Sequence, residues 1–321
     1  MLRTPACETL GIAHPIVQAG MAREYTNAEL VAAVSAAGGL GILGCLGRPA
    51  DETVAAIRRI RSLTDRPFGV NFVLLRRNRE TFAACLAERV PVFSFFRGDP
   101  EEAVTRAHAA GAVTIHQVTT VAEAERAVAV GVDVLVAQGC EAGGHMGPLP
   151  LLSFLPAVVG VAGGRPVLAA GGISDGRGLA AALCLGAAGV LMGTRFLATP
   201  ESPISPAYKR AILAAGPGAT VASGLFDLLW GFEWPGVRVR AIRNALTDRW
   251  AGREDELADH LEEVRAECER ADRKDDPEGM ALLAGESVGR IDAIQPAGAI
   301  VRSVAAEAER VLREWGARVS A

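Results

Sequence analysis

The chain has 321 residues, of which 50% belong to the AVILMFWYC set but only 5% are aromatic, so its core must be built from Ala, Val, Leu and Ile, as suits α/β layers. Thirty-three basic against 37 acidic residues leave a net charge of −4, which excludes the basic footprint of a nucleic-acid or anionic-membrane binder and points to small-molecule partners. The 36 glycines fall in short clusters without a repeat, which excludes collagen and low complexity and marks turns instead.

In chain order, an apolar β-like run at 15–20 (PIVQAG) is followed by a helical pattern at 27–37, the run GLGILG at 39–44 and a helix at 51–63. The unit recurs with strands at 68–74 (FGVNFVL), 91–96 (PVFSFF), 112–118 (AVTIHQV), 132–139 (VDVLVAQG), 166–171 (PVLAAG) and 189–194 (GVLMGT). Eight near-continuous apolar strands need both faces covered, and right-handed crossovers close them into a (β/α)8 TIM barrel or an open doubly wound sheet. The number eight favours the barrel. After residue 215 the rhythm stops at Gly216-Pro217-Gly218, and the remainder holds all four tryptophans (Trp230, Trp234, Trp250, Trp315). Residues 251–280 carry twelve Asp/Glu against five Arg/Lys and read as a solvated helical face. A last amphipathic helix near 297–315 is long and apolar enough to dock back on the barrel.

Six cysteines without a C-x-x-C pair, and no basic-then-apolar run at Met1-Leu2-Arg3, predict a reduced cytoplasmic compartment. No apolar stretch reaches the roughly 18 residues of a membrane span. Lys209 and Lys274 are the only lysines, and neither lies on a barrel strand, which excludes a Schiff-base enzyme. The five histidines (His14, His108, His116, His145, His260) never fall at close ligand spacing, so no metal site is expected. Gly172-Ile173-Ser174-Asp175-Gly176 matches the G-x-S-x-G nucleophile elbow, with His260 downstream as a conceivable base, but Ser174 and Asp175 are ordinary N-cap residues.

The positive signal is a pair of turns at the ends of strands seven and eight. Ala170-Gly171-Gly172 precedes a helix N-terminus, and Met192-Gly193-Thr194 adds a glycine and a hydroxyl, so together they can cradle a phosphate. Gln18 to Met21, Asn71, Gln117 and Gln138 put uncharged polar groups at other strand ends, which suits a polar ring such as a flavin. Gly139-Cys140-Glu141-Ala142-Gly143-Gly144-His145-Met146-Gly147 then carries one histidine over the barrel mouth.

QGCEAGGHMG, followed by PVLAAGGISDGRGLAAALCLGAAGVLMGTRFLATPES, resembles the nitronate monooxygenase family, formerly 2-nitropropane dioxygenases, which are FMN-dependent TIM barrels. The resemblance spans residues 10–215 and includes PIVQAGM at 15–21 and PFGVN at 67–71. It extends to flavin-dependent enoyl-ACP reductases and NAD(P)H:quinone reductases. It implies FMN phosphate at Gly171, Gly172, Gly193 and Thr194, ring contacts from Gly20, Met21, Asn71, Gln117 and Gln138, and close passage of Gly143 and Gly144. It makes His145 the catalytic residue, deprotonating a nitroalkane or binding the anionic nitronate, while Cys140 reads as packing. Family members carry pocket tyrosines, for which this chain offers only Tyr25 and Tyr208. Their tails imply a helical cap at 216–286 over the barrel of 1–215, and a return at 287–321. The implied activity is oxidation of an alkyl nitronate with O2 to a carbonyl compound and nitrite. Reduction of a quinone or enoyl thioester by NAD(P)H is the alternative, and a flavin-binding accessory protein is the non-enzymatic one. A homodimer is left open.

Overall fold

The structure, a computed structural model, describes residues 2–75, 78–232, 234 and 236–319. Among the described residues its strands in chain order are β1 (Ile16–Gln18), β2 (Gly41–Gly44), β3 (Phe68–Val73), β4 (Val92–Phe96), β5 (Val113–Val118), β6 (Val134–Gln138), β7 (Gly144–Met146), β8 (Val167–Ala170), β9 (Gly189–Met192), β10 (Thr220–Ser223) and β11 (Arg238–Ile242). Eight of them form one parallel sheet in the order β1-β9-β8-β6-β5-β4-β3-β2. The sheet closes on itself: Gln18 N donates to Leu40 O at 2.9 Å and Leu40 N to Ile16 O at 3.0 Å, which ties β1 to the lead-in of β2. The fold is the expected (β/α)8 barrel. Gln18, read from sequence as a polar group at a strand end, is spent on this seam, its amide bonding Ile42 O at 3.2 Å and accepting from Ile42 N at 3.1 Å.

Period-two alternation divides the strand residues between two cores. Phe68, Val70, Phe72, Phe93, Phe95, Leu135, Ala137 and Val190 face the helix layer, while Val17, Ile42, Val92, Ile115, Val134, Val136 and Leu168 fill the barrel. The helix Pro5–Leu10 supplies Ala6, Cys7 and Leu10 to the second cluster and so plugs the barrel from its N-terminal side.

The segment 216–286, expected to be helical, also contains β10 and β11. These pair antiparallel with each other, and β11 pairs with β7 of the loop after β6, giving a three-stranded sheet. Val239-Arg240-Ala241 alternates at period two, β10 buries its two ends, Thr220 and Ser223, and the loop strand satisfies an edge that a helix could not. Helices at Leu225–Trp230, Ala245–Trp250 and Leu261–Lys274 complete it, the last burying only Val264 and Ala271 along its acidic length. The final helix, Ala297–Val319, buries Ile300, Val301, Val304, Ala305 and Ala308 against the barrel's helix layer. Gly176 allows this packing, because a Cβ there would lie 2.5 Å from Ala308 N. Among the described residues no helix is long and apolar enough to cross a membrane.

Candidate active site

The inward-facing series of β3, β5 and β6 reach Asn71, Gln117 and Gln138 near their C-terminal ends, where the aliphatic packing of the barrel gives way and it opens. A cavity of about 520 Å³ lies over these ends, and its wall includes Gly20, Met21, Asn71, Gln117, Gln138, Gly143, Gly144, His145, Gly171, Gly172, Gly193 and Thr194. All twelve residues singled out from sequence therefore meet at one place, the face on which barrel enzymes build their sites.

Local sterics explain the glycines. Gly171 and Gly172 have φ of 107° and 70°, where a side chain is strained. A Cβ on Gly20 would sit 2.2 Å from Asn71 Cβ, and one on Gly143 would sit 2.5 Å from the Ala284 carbonyl carbon and Gly285 N. Gly143 thus lets the later segment lie backbone to backbone against the loop after β6. Gly193 differs, since a Cβ there would meet only Met21 Sδ at 3.6 Å and Ala19 Cβ at 3.8 Å. Gly285 N donates to Thr194 Oγ1 at 2.9 Å, which leaves the hydroxyl proton of Thr194 available.

His145 is held from several sides. Its strand pairs with β11 opposite Val239, and Gln138 Nε2 donates to its carbonyl at 2.9 Å. The Oε1 of Gln138 is buried without a partner. His145 Nε2 lies 2.6 Å from Asp227 Oδ1, with side-chain exposures of 13% and 9%. The Trp234 ring centroid is 4.1 Å away, and Phe232 and Trp230 stand at 6.2 and 6.3 Å. Asp227, Trp230, Phe232 and Trp234 are additions that sequence reasoning missed. A signal existed: one carboxylate sits inside the otherwise apolar run Leu225-Phe226-Asp227-Leu228-Leu229-Trp230.

Glu141 and Glu24 also line the cavity, and the Glu141 carboxylate accepts from Leu151 N at 3.0 Å, capping the next helix. Tyr25 lines it too and stands edge-on to Tyr208 at 6.2 Å, whose hydroxyl donates to Leu283 O at 2.7 Å. Burial pushes both phenols up, so both are neutral. The nucleophile-elbow motif gains no support: Asp175 caps the helix through Gly178 N at 3.0 Å, and half-exposed His260 pairs with Glu263 at 3.5 Å.

Comparison with known proteins places this geometry among oxidoreductases. The sequence model of the nitronate monooxygenase family matches residues 3–86 and 77–307. A (3aS,4S,5R,7aS)-5-hydroxy-7a-methyl-1-oxo-octahydro-1H-indene-4-carboxyl-CoA dehydrogenase of Mycobacterium tuberculosis is 43% identical over 251 residues, covering 77% of this chain and 68% of that protein. Nitronate monooxygenase npaC of Metarhizium robertsii is 34% identical, covering 93% of this chain and 92% of that protein. Among solved structures, FabK from Thermotoga maritima superposes with a TM-score of 0.90 at 35% identity, covering 99% of this chain and 100% of that one.

Proposed function

The chain belongs to the nitronate monooxygenase family and is an oxidoreductase, and from that premise we propose that it binds FMN in the cavity over the barrel and oxidises alkyl nitronates with O2 to a carbonyl compound and nitrite. The observation that carries this reading is the meeting of two glycine turns, three amide side chains and one histidine on a single cavity wall. The residues fit the cofactor. Gly171, Gly172, Gly193 and Thr194 would take its phosphate on backbone and hydroxyl donors, and side chains are absent where the anion must approach. Buried Gln138 Oε1 offers an acceptor that a ligand's N–H could satisfy. Gly20, Met21, Asn71, Gln117, Gly143 and Gly144 would border the ring. Bound there, FMN supplies a two-electron sink that O2 can reoxidise.

The chain itself supplies the proton chemistry. His145 lines the cavity, where its imidazole can take the α-proton of a nitroalkane or hold an anionic nitronate. Trp230, Phe232, Phe96 and Leu283 wall the site with apolar surface and restrict water beside the reacting carbon.

A second reading has its own support. None of the described lining side chains is Lys or Arg, so an uncharged reacting group suits the cavity, and the mycobacterial relative is named as a carboxyl-CoA dehydrogenase. A thioester also has an acidic α-C–H, and the same base could serve it. Anaerobic mixing with propionate 3-nitronate, a nitroalkane, an acyl-CoA, NADH and NADPH decides: bleaching of the flavin by the nitronate supports the first reading, and bleaching by the thioester or NAD(P)H alone overturns it. The released cofactor should be FMN and not FAD, since the G-x-G-x-x-G match at Gly39 to Gly44 runs through strand β2 and makes no strand-to-helix turn that could hold a pyrophosphate.

A further inference from the structure

We infer that Asp227 is a positioning residue that fixes the tautomer of His145, leaving Nδ1 as the nitrogen that accepts a proton from substrate. The kinetic half of this inference rests on the proposed function, and the structural half does not.

An ionised carboxylate only accepts hydrogen bonds, so the 2.6 Å contact between Asp227 Oδ1 and His145 Nε2 requires the proton on Nε2. A neutral imidazole carries one proton, and Nδ1 then holds the lone pair; among the described residues the ring's one hydrogen bond is that at Nε2. The ring is not free to exchange the two nitrogens. Its backbone is fixed by Gln138 and by the pairing with Val239, and the indole of Trp234 packs at 4.1 Å. The helix that carries the carboxylate is anchored through its backbone: Phe232 N donates to the Asp227 carbonyl at 2.8 Å, and Arg265 ties the end of the same helix through Leu229 O at 2.7 Å and Leu228 O at 3.0 Å. Arg97 is a cation whose field reaches Asp227. It holds Met146 O at 3.1 Å and Thr119 Oγ1 at 3.2 Å, with Glu123 on its far side at 3.8 Å. A carboxylate so placed also stabilises the imidazolium that forms when His145 takes a proton. The segment after residue 216 thereby sets the working state of a base carried by the barrel loop.

The test is ¹⁵N and ¹H NMR of His145 in the wild-type holoprotein, assigned by difference with His145→Gln, beside kinetics of Asp227→Asn and Asp227→Glu. The expected result is a bare Nδ1 and a slowly exchanging downfield proton on Nε2, the latter lost in Asp227→Asn. Turnover of a neutral nitroalkane should fall about 10²-fold or more in Asp227→Asn, turnover of preformed nitronate less than about tenfold, with partial recovery in Asp227→Glu. A proton on Nδ1 in the wild type, or an unchanged downfield signal in Asp227→Asn, overturns the inference. The expected spectra without turnover of either nitro substrate uphold the positioning role and sink the nitronate reading.

Discussion

On the proposed reading a single imidazole would join two roles at this site, taking a proton and positioning an anion, and substrates of different protonation state separate them. His145→Ala should keep FMN, because the phosphate turns lie on other strands. It should lose about 10²–10⁴ in turnover of a neutral nitroalkane, roughly 3–5 kcal/mol of barrier. A preformed nitronate has already given up its proton and should lose much less. Equal and small losses for both substrates would remove His145 from the chemistry. The glycines can be separated in the same way. Gly172 has φ of 70°, so any substitution there adds backbone strain to whatever it does to a ligand. Gly193 has φ of −102° and a Cβ there would make only ordinary van der Waals contacts, so the fold tolerates a side chain. Gly193→Asp should therefore leave the unfolding transition in place while a carboxylate beside the phosphate abolishes FMN retention. Normal FMN affinity in that variant, measured by fluorescence titration, would move the phosphate elsewhere.

Between elements, the loop after β6, β11 and the segment at 284–287 are drawn together by one guanidinium. Arg240 bonds Cys140 O at 3.1 Å, Thr220 Oγ1 at 2.9 Å and Glu286 at 2.5 Å, with only 13% of its side chain exposed. Arg240→Met keeps the apolar stem but leaves a carbonyl and a half-buried carboxylate short of a donor. Because Glu286 is 35% exposed and water can replace part of the loss, the cost should be about 1–2 kcal/mol, read from the denaturation midpoint, with faster amide exchange in β11. Arg249→Ala, which breaks an exposed pair with Glu267, should stay within about 0.5 kcal/mol; a matching loss there would deny Arg240 any special role. The contrast between barrel and added sheet also explains what could be read from sequence. Strands such as 132–139 announce themselves, since they are buried on both faces and bounded by Gly or Pro, and the strand-end amides stand out against them. β7 has three residues and none of that pattern. It is a strand only because β11, almost a hundred residues later, supplies its partner. Asp227 reaches His145 across 82 residues through the same tertiary pairing, so no local spacing could connect them. Gln18 misled for the opposite reason: a buried amide that needs partners can find them in the barrel seam as well as in a ligand.

For the molecule as a whole, the layer between barrel and helices is largely aliphatic and aromatic, and His116 is a titratable intruder in it. It is 2% exposed, its Nδ1 has no partner, and burial pushes its pKa down to about 4 from 6.5. Glu123 and Asp99 pull the other way, but less than desolvation does. The native state therefore holds His116 neutral, whereas the unfolded chain protonates it below about 6.5. Its contribution to stability is full above that pH and is lost as pH falls toward 4, where the native group also takes up its proton. A gap of about 2.5 units corresponds to roughly 3 kcal/mol. His14, also lowered by burial, adds to the decline in the same window. Asp133 and Asp175, which hydrogen bonds and neighbouring cations hold below the usual carboxylate range, give up their contribution only at lower pH. The expected outcome is a urea midpoint that drops steadily between pH 6.5 and 4 in the wild type and much less in His116→Leu, which matches the volume and removes the proton site. Parallel slopes in the two proteins would assign the acid sensitivity to other groups.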